Sequence, residues 1–242
     1  MVSESTEANR LLSLLRQEDR ERLHRHLEHT VLEYKRPLYD SNQRIEFVYF
    51  IMSGVGSLVH TMTNGQAAEV GTIGNEGFVG LPILLGDERG PTSVYVQVPG
   101  AGLRMKAEIF REELERSGRL RGIMLRYAHA FFNQVAQSAA CAHFHSLEQR
   151  CCRWLLMTRD RMPSDHFLLT QEFLAMMLGV RRAGVTVAAS ALQRAGLIRY
   201  DRGRVAILDR DGLEERACEC YAVSKEEFDR LLDNSGPRTA ED

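Results

Sequence analysis

The chain reads as an α+β protein in three parts: an N-terminal β roll of the double-stranded β-helix, jelly-roll kind, one long central helix, and a C-terminal winged helix-turn-helix. Three observations predict this. Short apolar runs alternate with glycines between Val31 and Met105; a proline-free stretch from Gly118 to His145 repeats apolar residues at helical spacing; and Leu169 to Ile198 pairs two amphipathic segments around one glycine. Nothing repeats internally. The boundaries implied are 1–117 for the β-roll domain, 118–145 for the central helix, 146–233 for the helix-turn-helix domain and 234–242 for a polar tail.

Taken in order, Leu11, Leu12, Leu14, Leu15, Leu23 and Leu27 stand among charges and predict one or two amphipathic helices. The period then changes to that of strands, with runs Phe47–Ile51, Ser57–Val59, Glu69–Gly71, Val94–Val98 and Leu103–Met105. Turns are expected at Gly54, Gly56, Asn64-Gly65, Gly74, Gly77 and Gly80. In the central helix Met124, Ala128, Phe131, Val135, Ser138 and Ala142 form a seam at alternating four and three spacing. Such a seam can pack on its own β domain, but small residues at half its positions favour a twin helix, so a homodimer is expected. A further helix from Leu147 to Met162, stopped by Pro163, leads on, with Trp154, Leu155 and Met157 expected in the next core.

Thr170 is placed to cap the first helix of the pair, and Phe173, Leu174 and Met177 share one face behind it. Gly179 supplies the positive φ of a tight inter-helix turn, and a second helix follows from about Arg181 to Arg194. Close crossing needs small residues, and Ala175, Val180, Val185 and Ala188 are spaced to fill the crevice. Two β-type runs then flank Asp201-Arg202-Gly203-Arg204, which reads as a wing. From Arg181 to Arg210 seven arginines face two acids, a net of +5 in a chain of net −2, which leaves −7 elsewhere. A solvated helix face would also carry arginines; their concentration on the second helix and wing favours double-stranded DNA as partner. Thr170, Gln171, Arg181, Arg182, Gly184, Thr186, Arg199, Arg202 and Arg204 are the expected contacts. Gly184, inside a helix, suggests close approach of that helix to DNA or to a partner.

Hydrophobic content of 44% and charged content of 26% suit a globular protein with sizeable cores. No apolar run approaches the ~20 residues that span a bilayer, and Met1 to Asn9 is polar with no apolar core behind it, so no membrane and a cytoplasmic location are expected. Five cysteines, all from Cys141 onward, argue against a disulfide framework. Cys218-Glu219-Cys220 and Cys151-Cys152 are candidates for a redox switch or, with His143 and His145, for zinc; but vicinal and C-x-C pairs are poor chelates alone, so no metal and no cofactor are expected.

This order of N-terminal helices, glycine-punctuated roll, long helix and winged helix-turn-helix resembles the Crp/Fnr family of bacterial transcription regulators over nearly the whole chain. Gly54-Val55-Gly56-Ser57-Leu58 and Gly77-Phe78-Val79-Gly80 are similar to the family's cyclic-nucleotide-binding roll. The resemblance implies a non-enzymatic homodimer that reads a roughly palindromic site and recruits RNA polymerase, with the roll as sensor. The sensor departs from pattern. Nucleotide binders of the family follow Gly with Glu, and about ten residues on place Arg before Ser or Thr; here Leu81 and Pro82 follow Gly80, and Thr92-Ser93 stands where the arginine belongs. Gly80, Leu81, Arg89, Thr92 and Ser93 are the corresponding pocket residues, the effector is unknown, and cAMP is not expected to be it. The absence of cysteines before Cys141 is unlike the family's iron-sulfur sensors, and His60 stands alone in the roll, against haem. Readout departs as well: where the family often presents Arg-Glu and then Arg, this helix carries Arg182, Ala183 and Val187. A cyclic-nucleotide-responsive regulator with an unusual cassette is one alternative. A cupin-like metalloenzyme is another, and it lacks the two or three histidines its site would need.

Overall fold

The computed structural model describes residues 8–233. Two short helices, α1 (Arg10–Ser13) and α2 (Gln17–His24), open the chain, with Asn9 capping α1 through its side chain and donating to the carbonyls of Ile51 and Gly77. An antiparallel sheet follows, made of β1 (Glu28–Leu32), β2 (Pro37–Tyr39), β3 (Phe47–Thr61), β4 (Ala67–Ile73), β5 (Phe78–Val79) and β6 (Ser93–Lys106). Its backbone order is β1-β6-β3-β4, with β2 on β6 and β5 on β3. The helix α3 (Leu81–Leu84) interrupts it.

Four expected runs are two strands. β3 joins Phe47–Ile51 to Ser57–Val59, and β6 joins Val94–Val98 to Leu103–Met105. Gly54 and Gly56 sit in bulges, not turns: pairing of β3 with β6 runs from Phe47↔Lys106 to Val59↔Ser93 and slips three times between Ile51 and Gly56, whereas Gly74 and Gly77 do bound a turn, the Gly77 amide donating to the Gly74 carbonyl at 3.0 Å. Gly54 has φ +92°, and a Cβ there would lie 2.6 Å from the Val98 carbonyl oxygen, so the strand bends and closes the roll at a point only glycine fits. Asn64-Gly65 is a true hairpin turn.

Beyond α4 (Ala107–Arg116) the central helix α5 runs Gly118–Phe144. Phe50, Phe78 and Phe110 pack with ring centroids within about 6 Å of one another, and Tyr127 joins them through Phe78 at 5.3 Å, which anchors α5 to the roll. The expected seam is corrected here. Met124 and Phe131 are buried in the protomer's own core with Ala128 and Val135 packed beside them, and Phe131 covers Gly71 of β4 closely enough to leave no room for a side chain there. Ser138 bonds to the Gln134 carbonyl, and only Ala142 of the six is exposed. The exposed apolar stripe lies one residue further on: Leu125 and Phe132, 44% and 68% exposed, followed by Ala136 and Ala139. Among the described residues no single helix is long and apolar enough to cross a membrane.

His145 ends α5 in an extended conformation, and Ser146 starts α6 (Leu147–Arg159) with a capping box to Gln149. Then come β7 (His166–Leu168), α7 (Gln171–Leu178), α8 (Arg182–Arg194), β8 (Ile198–Asp201), β9 (Arg204–Ile207), α9 (Arg210–Arg216) and α10 (Cys220–Leu232). The second core holds Leu155, Leu174, Val185, Leu192, Ile198 and Val205. Trp154 joins it too, and its indole N–H donates to Glu69 of the roll at 3.3 Å.

Candidate nucleic-acid interface

Thr170 caps α7 by accepting from the Phe173 amide at 3.3 Å, and Gly179 ends that helix with φ +61°. The chain turns through 105° into α8, within the range of helix-turn-helix pairs. Ala175, Val185 and Ala188 are buried where the helices cross, and Val180 is half-buried. The face left open on α8 carries Arg181, Arg182, Ala183, Thr186 and Val187, the last 69% exposed. Gln171 ties the two helices, its amide oxygen accepting from Arg182 Nε at 3.2 Å and from Thr186 Oγ1 at 3.4 Å. This holds Arg182 at the outer edge of the helix with its terminal nitrogens available.

β9 sits between β7 and β8 in a three-stranded sheet, and the β8–β9 turn is tightened by Arg202 at φ +45° and Gly203 at φ +75°. The Tyr200 hydroxyl donates to the Leu169 carbonyl at 2.9 Å, which fixes the wing against the start of α7. A groove of about 450 Å³ separates α8 from the wing, lined by Gln171, Arg182, Thr186, Gln193, Tyr200 and Arg202. Arg181, Arg182, Arg194, Arg199, Arg202 and Arg204 are all exposed, and among the described residues none has a carboxylate within ion-pair distance. Arg210, counted with them in the sequence, turns inward to Asp160 at 2.8 Å and to Glu214.

Two expectations change. A Cβ on Gly184 would meet Leu147 of α6 at 3.1 Å, so this glycine serves packing of α8 on its own domain. Thr170 is engaged twice, accepting from the Phe173 amide in its cap and meeting the Tyr34 hydroxyl at 3.2 Å, so its hydroxyl serves the fold as well as the open face. Tyr34 and its neighbour were not singled out by sequence: Tyr34 packs on Phe173 with ring centroids 5.4 Å apart, and Lys35 reaches Glu172 at 3.9 Å, so a loop of the roll holds the start of α7.

A second clasp joins the domains. Glu69 of β4 accepts from Ser57 Oγ at 2.5 Å, Gln97 Nε2 at 3.0 Å and Trp154 Nε1 at 3.3 Å. The residue keeps some surface, but its carboxyl is enclosed, and burial pushes its pKa up to about 7 against the pull of these donors and of Arg161. Arg161 itself is buried on Glu76 at 2.6 Å and Thr72.

The effector residues give no charged site. Gly80 caps α3, Leu81 is half-buried, and Arg89 is exposed with its amide on Asp87. Thr92 bonds the Tyr39 hydroxyl, and Ser93 Oγ accepts from the Ser41 amide at 2.9 Å, so both hydroxyls serve the wall of the roll. The cysteines divide into two groups. Cys151 and Cys152 are buried in the second core, where desolvation raises both thiols, Cys152 to about 11. Cys141, Cys218 and Cys220 meet His145 in a separate cluster that could hold a metal ion, while His143 is exposed. Local spacing hides this because Cys141 and Cys218 touch across 77 positions.

This is the architecture of a sensor-like roll coupled to a DNA-binding helix-turn-helix. The family model of a cyclic nucleotide-binding domain matches residues 31–117, and that of a Crp-like helix-turn-helix domain matches residues 149–216; together they take in well over half of the chain. The chain belongs to the Crp/Fnr family of transcription regulators. No curated protein sequence matches it. Its fold is similar to that of a putative transcriptional regulator of the Crp/Fnr family from Eubacterium rectale, with 17% identity, a TM-score of 0.65, and 85% of this chain and 96% of that one covered. A CRP-family transcriptional regulator from Thermus thermophilus gives 17%, 0.65, and 78% and 96%. FixK2 from Bradyrhizobium japonicum gives 12%, 0.67, and 79% and 98%.

Proposed function

We propose that the protein acts as a homodimer that reads a roughly two-fold symmetric DNA site and controls recruitment of RNA polymerase in response to an effector other than a cyclic nucleotide. The observation that carries this is the continuous open face of α8 and the wing, with six exposed arginines that have no carboxylate partner among the described residues. In this reading Arg182, steadied by Gln171, forks guanine O6 and N7, Val187 meets a thymine methyl, and Arg199, Arg202 and Arg204 lie on phosphates. Ala183 offers no acceptor for cytosine, so the site differs from those read by an Arg-Glu pair. Arg181 and Thr186 border the same face, while Gly184 and Thr170 support it from behind.

The partner surface is the stripe Leu125, Phe132, Ala136 and Ala139 on α5. Its spacing of seven, four and three is that of a coiled-coil seam, and its small residues allow two helices to approach. A nucleotide effector is disfavoured because no carboxylate follows Gly80 and no arginine replaces Thr92. Selection of bound duplexes from random DNA tests the reading: it should return inverted half-sites containing guanine, and recovery of no enriched sequence would overturn it.

A further inference from the structure

The cluster at the end of α5 has the composition and the dimensions of a metal site. Cys141 lies on the last turn of that helix and His145 just past its end, while Cys218 comes from the link between α9 and α10 and Cys220 opens α10. One ligating atom from each of the four falls within 4.8 Å of all the others. Cys141 Sγ is 3.5 Å from Cys218 Sγ, and Cys220 Sγ is 3.5 Å from His145 Nδ1. A tetrahedron with metal–sulfur bonds of about 2.3 Å and a metal–nitrogen bond of about 2.0 Å has edges of about 3.8 Å between sulfurs and about 3.6 Å between sulfur and nitrogen. The two contacts at 3.5 Å lie within about 0.3 Å of those edges, and the other separations stay below 4.8 Å. A cubane cluster, with its irons between the thiolates, would hold the sulfurs further apart.

The surroundings are arranged as ligands require. The three sulfurs are almost wholly buried. The imidazole turns Nδ1 to Cys220 and donates from Nε2 to the Glu219 carboxylate at 3.1 Å, the outer contact that fixes a metal-bound histidine in one tautomer. Gln137 Nε2 donates to Cys220 Sγ at 3.0 Å, a bond that favours the thiolate. The guanidinium of buried Arg153 exerts its field on Cys141, offsetting the charge of three thiolates around a dication, and its Nε has no partner among the described residues.

We propose that Cys141, His145, Cys218 and Cys220 bind one zinc ion per protomer in a closed tetrahedral site. The donors are three soft sulfurs and one imidazole, a set that suits zinc and excludes magnesium or calcium, which need oxygen. Binding releases the thiol protons to solvent and leaves no open position for water, so the ion is structural. It would tie the end of α5 to α10 beside Ser146, where the chain passes from the central helix into the DNA-binding domain.

The test uses the full chain purified without chelator. Elemental analysis should return one zinc per protomer. Cobalt(II) added to the stripped protein should saturate at one equivalent, with sulfur-to-metal charge transfer and the strong visible bands of a tetrahedral thiolate site. Cys218→Ser and His145→Ala should each weaken cobalt binding at least 100-fold, and Cys152→Ser, outside the cluster, should leave it unchanged. Should the serine variant not fold, His145→Cys keeps four ligands and should move the visible bands to lower energy as a fourth sulfur replaces nitrogen. Protein without stoichiometric zinc whose cobalt spectrum is weak and octahedral would overturn the proposal. So would a Cys141–Cys218 disulfide in the isolated protein, or stoichiometric iron and sulfide.

Discussion

Phe131 and Phe132 are adjacent in sequence and opposite in fate, which makes them a sharp probe of how α5 is used. Phe132 is 68% exposed in the single chain. A phenylalanine buries roughly 200 Å², so roughly 130 Å² of ring is left to be covered by a partner, worth ~3 kcal/mol per protomer and ~6 kcal/mol across a two-fold axis as an upper bound. Truncation returns part of this. Phe132→Ala should raise the dimer dissociation constant by roughly two orders of magnitude or more, and Phe132→Glu, which sets two carboxylates against each other, should give a monomer at micromolar concentration. Neither change touches the core, so the melting temperature extrapolated to the monomer should move little. Phe131→Ala should do the reverse: it opens a cavity between Gly71 and Tyr127 and should cost about 3–5 kcal/mol of stability. Sedimentation velocity across a concentration series, with thermal unfolding of the same samples, separates the two. A Phe132→Glu variant that sediments as a dimer at micromolar concentration would refute the assignment of the stripe.

Two further predictions rest on the roll. The Glu69 carboxyl is raised from 4.5 to about 7, so the folded state holds a proton that the unfolded chain gives up between those values, and stability falls as pH rises through that window. Glu69→Gln should remove the slope and gain up to about 3 kcal/mol above pH 7 while changing little below 4.5, as read from urea midpoints at several pH values; an unchanged slope would mean the carboxyl titrates normally. Isothermal titration should find no micromolar cAMP or cGMP binding, because each missing charge-assisted contact at Leu81 and Thr92 forfeits roughly 1.5–3 kcal/mol; micromolar binding would show that Arg89 or another group supplies the charge.

What the sequence disclosed tracks how local each signal is. Thr170, Gly179 and the wing turn at Arg202-Gly203 act through neighbours a few residues away, and they form as expected. The long strands did not show themselves because Gly54 signals a sharp backbone change without saying whether the strand ends there or bulges, and only pairing with β6 decides that. On α5 the helical period was legible but its phase was not. Periodicity marks Phe131 and Phe132 alike as apolar, and only packing on the roll decides that Phe131 faces inward and leaves Phe132 on the outer face proposed for a partner. The glycine at 184 predicts a close approach to DNA or to a partner without naming the neighbour, because Leu147, whose side chain lies over it, stands on a helix 37 positions away. The cysteine cluster is the extreme case: Cys218, Cys220 and His145 are candidates by residue type, but nothing in the C-x-C spacing announces Cys141, 77 positions from Cys218.

In the proposed reading α8 carries sequence readout through Arg182 while the wing supplies charge. Binding of the selected operator, of operators altered at each guanine and of unrelated duplex, measured over a salt series for the parent, Arg182→Ala and Arg204→Ala, tests it directly. Arg182→Ala should lose about 1–3 kcal/mol on the operator and flatten discrimination at one base pair per half-site, whereas Arg204→Ala should weaken all duplexes alike and reduce the salt slope by about one. An Arg182→Ala variant that binds the operator as tightly and as selectively as the parent would contradict the account.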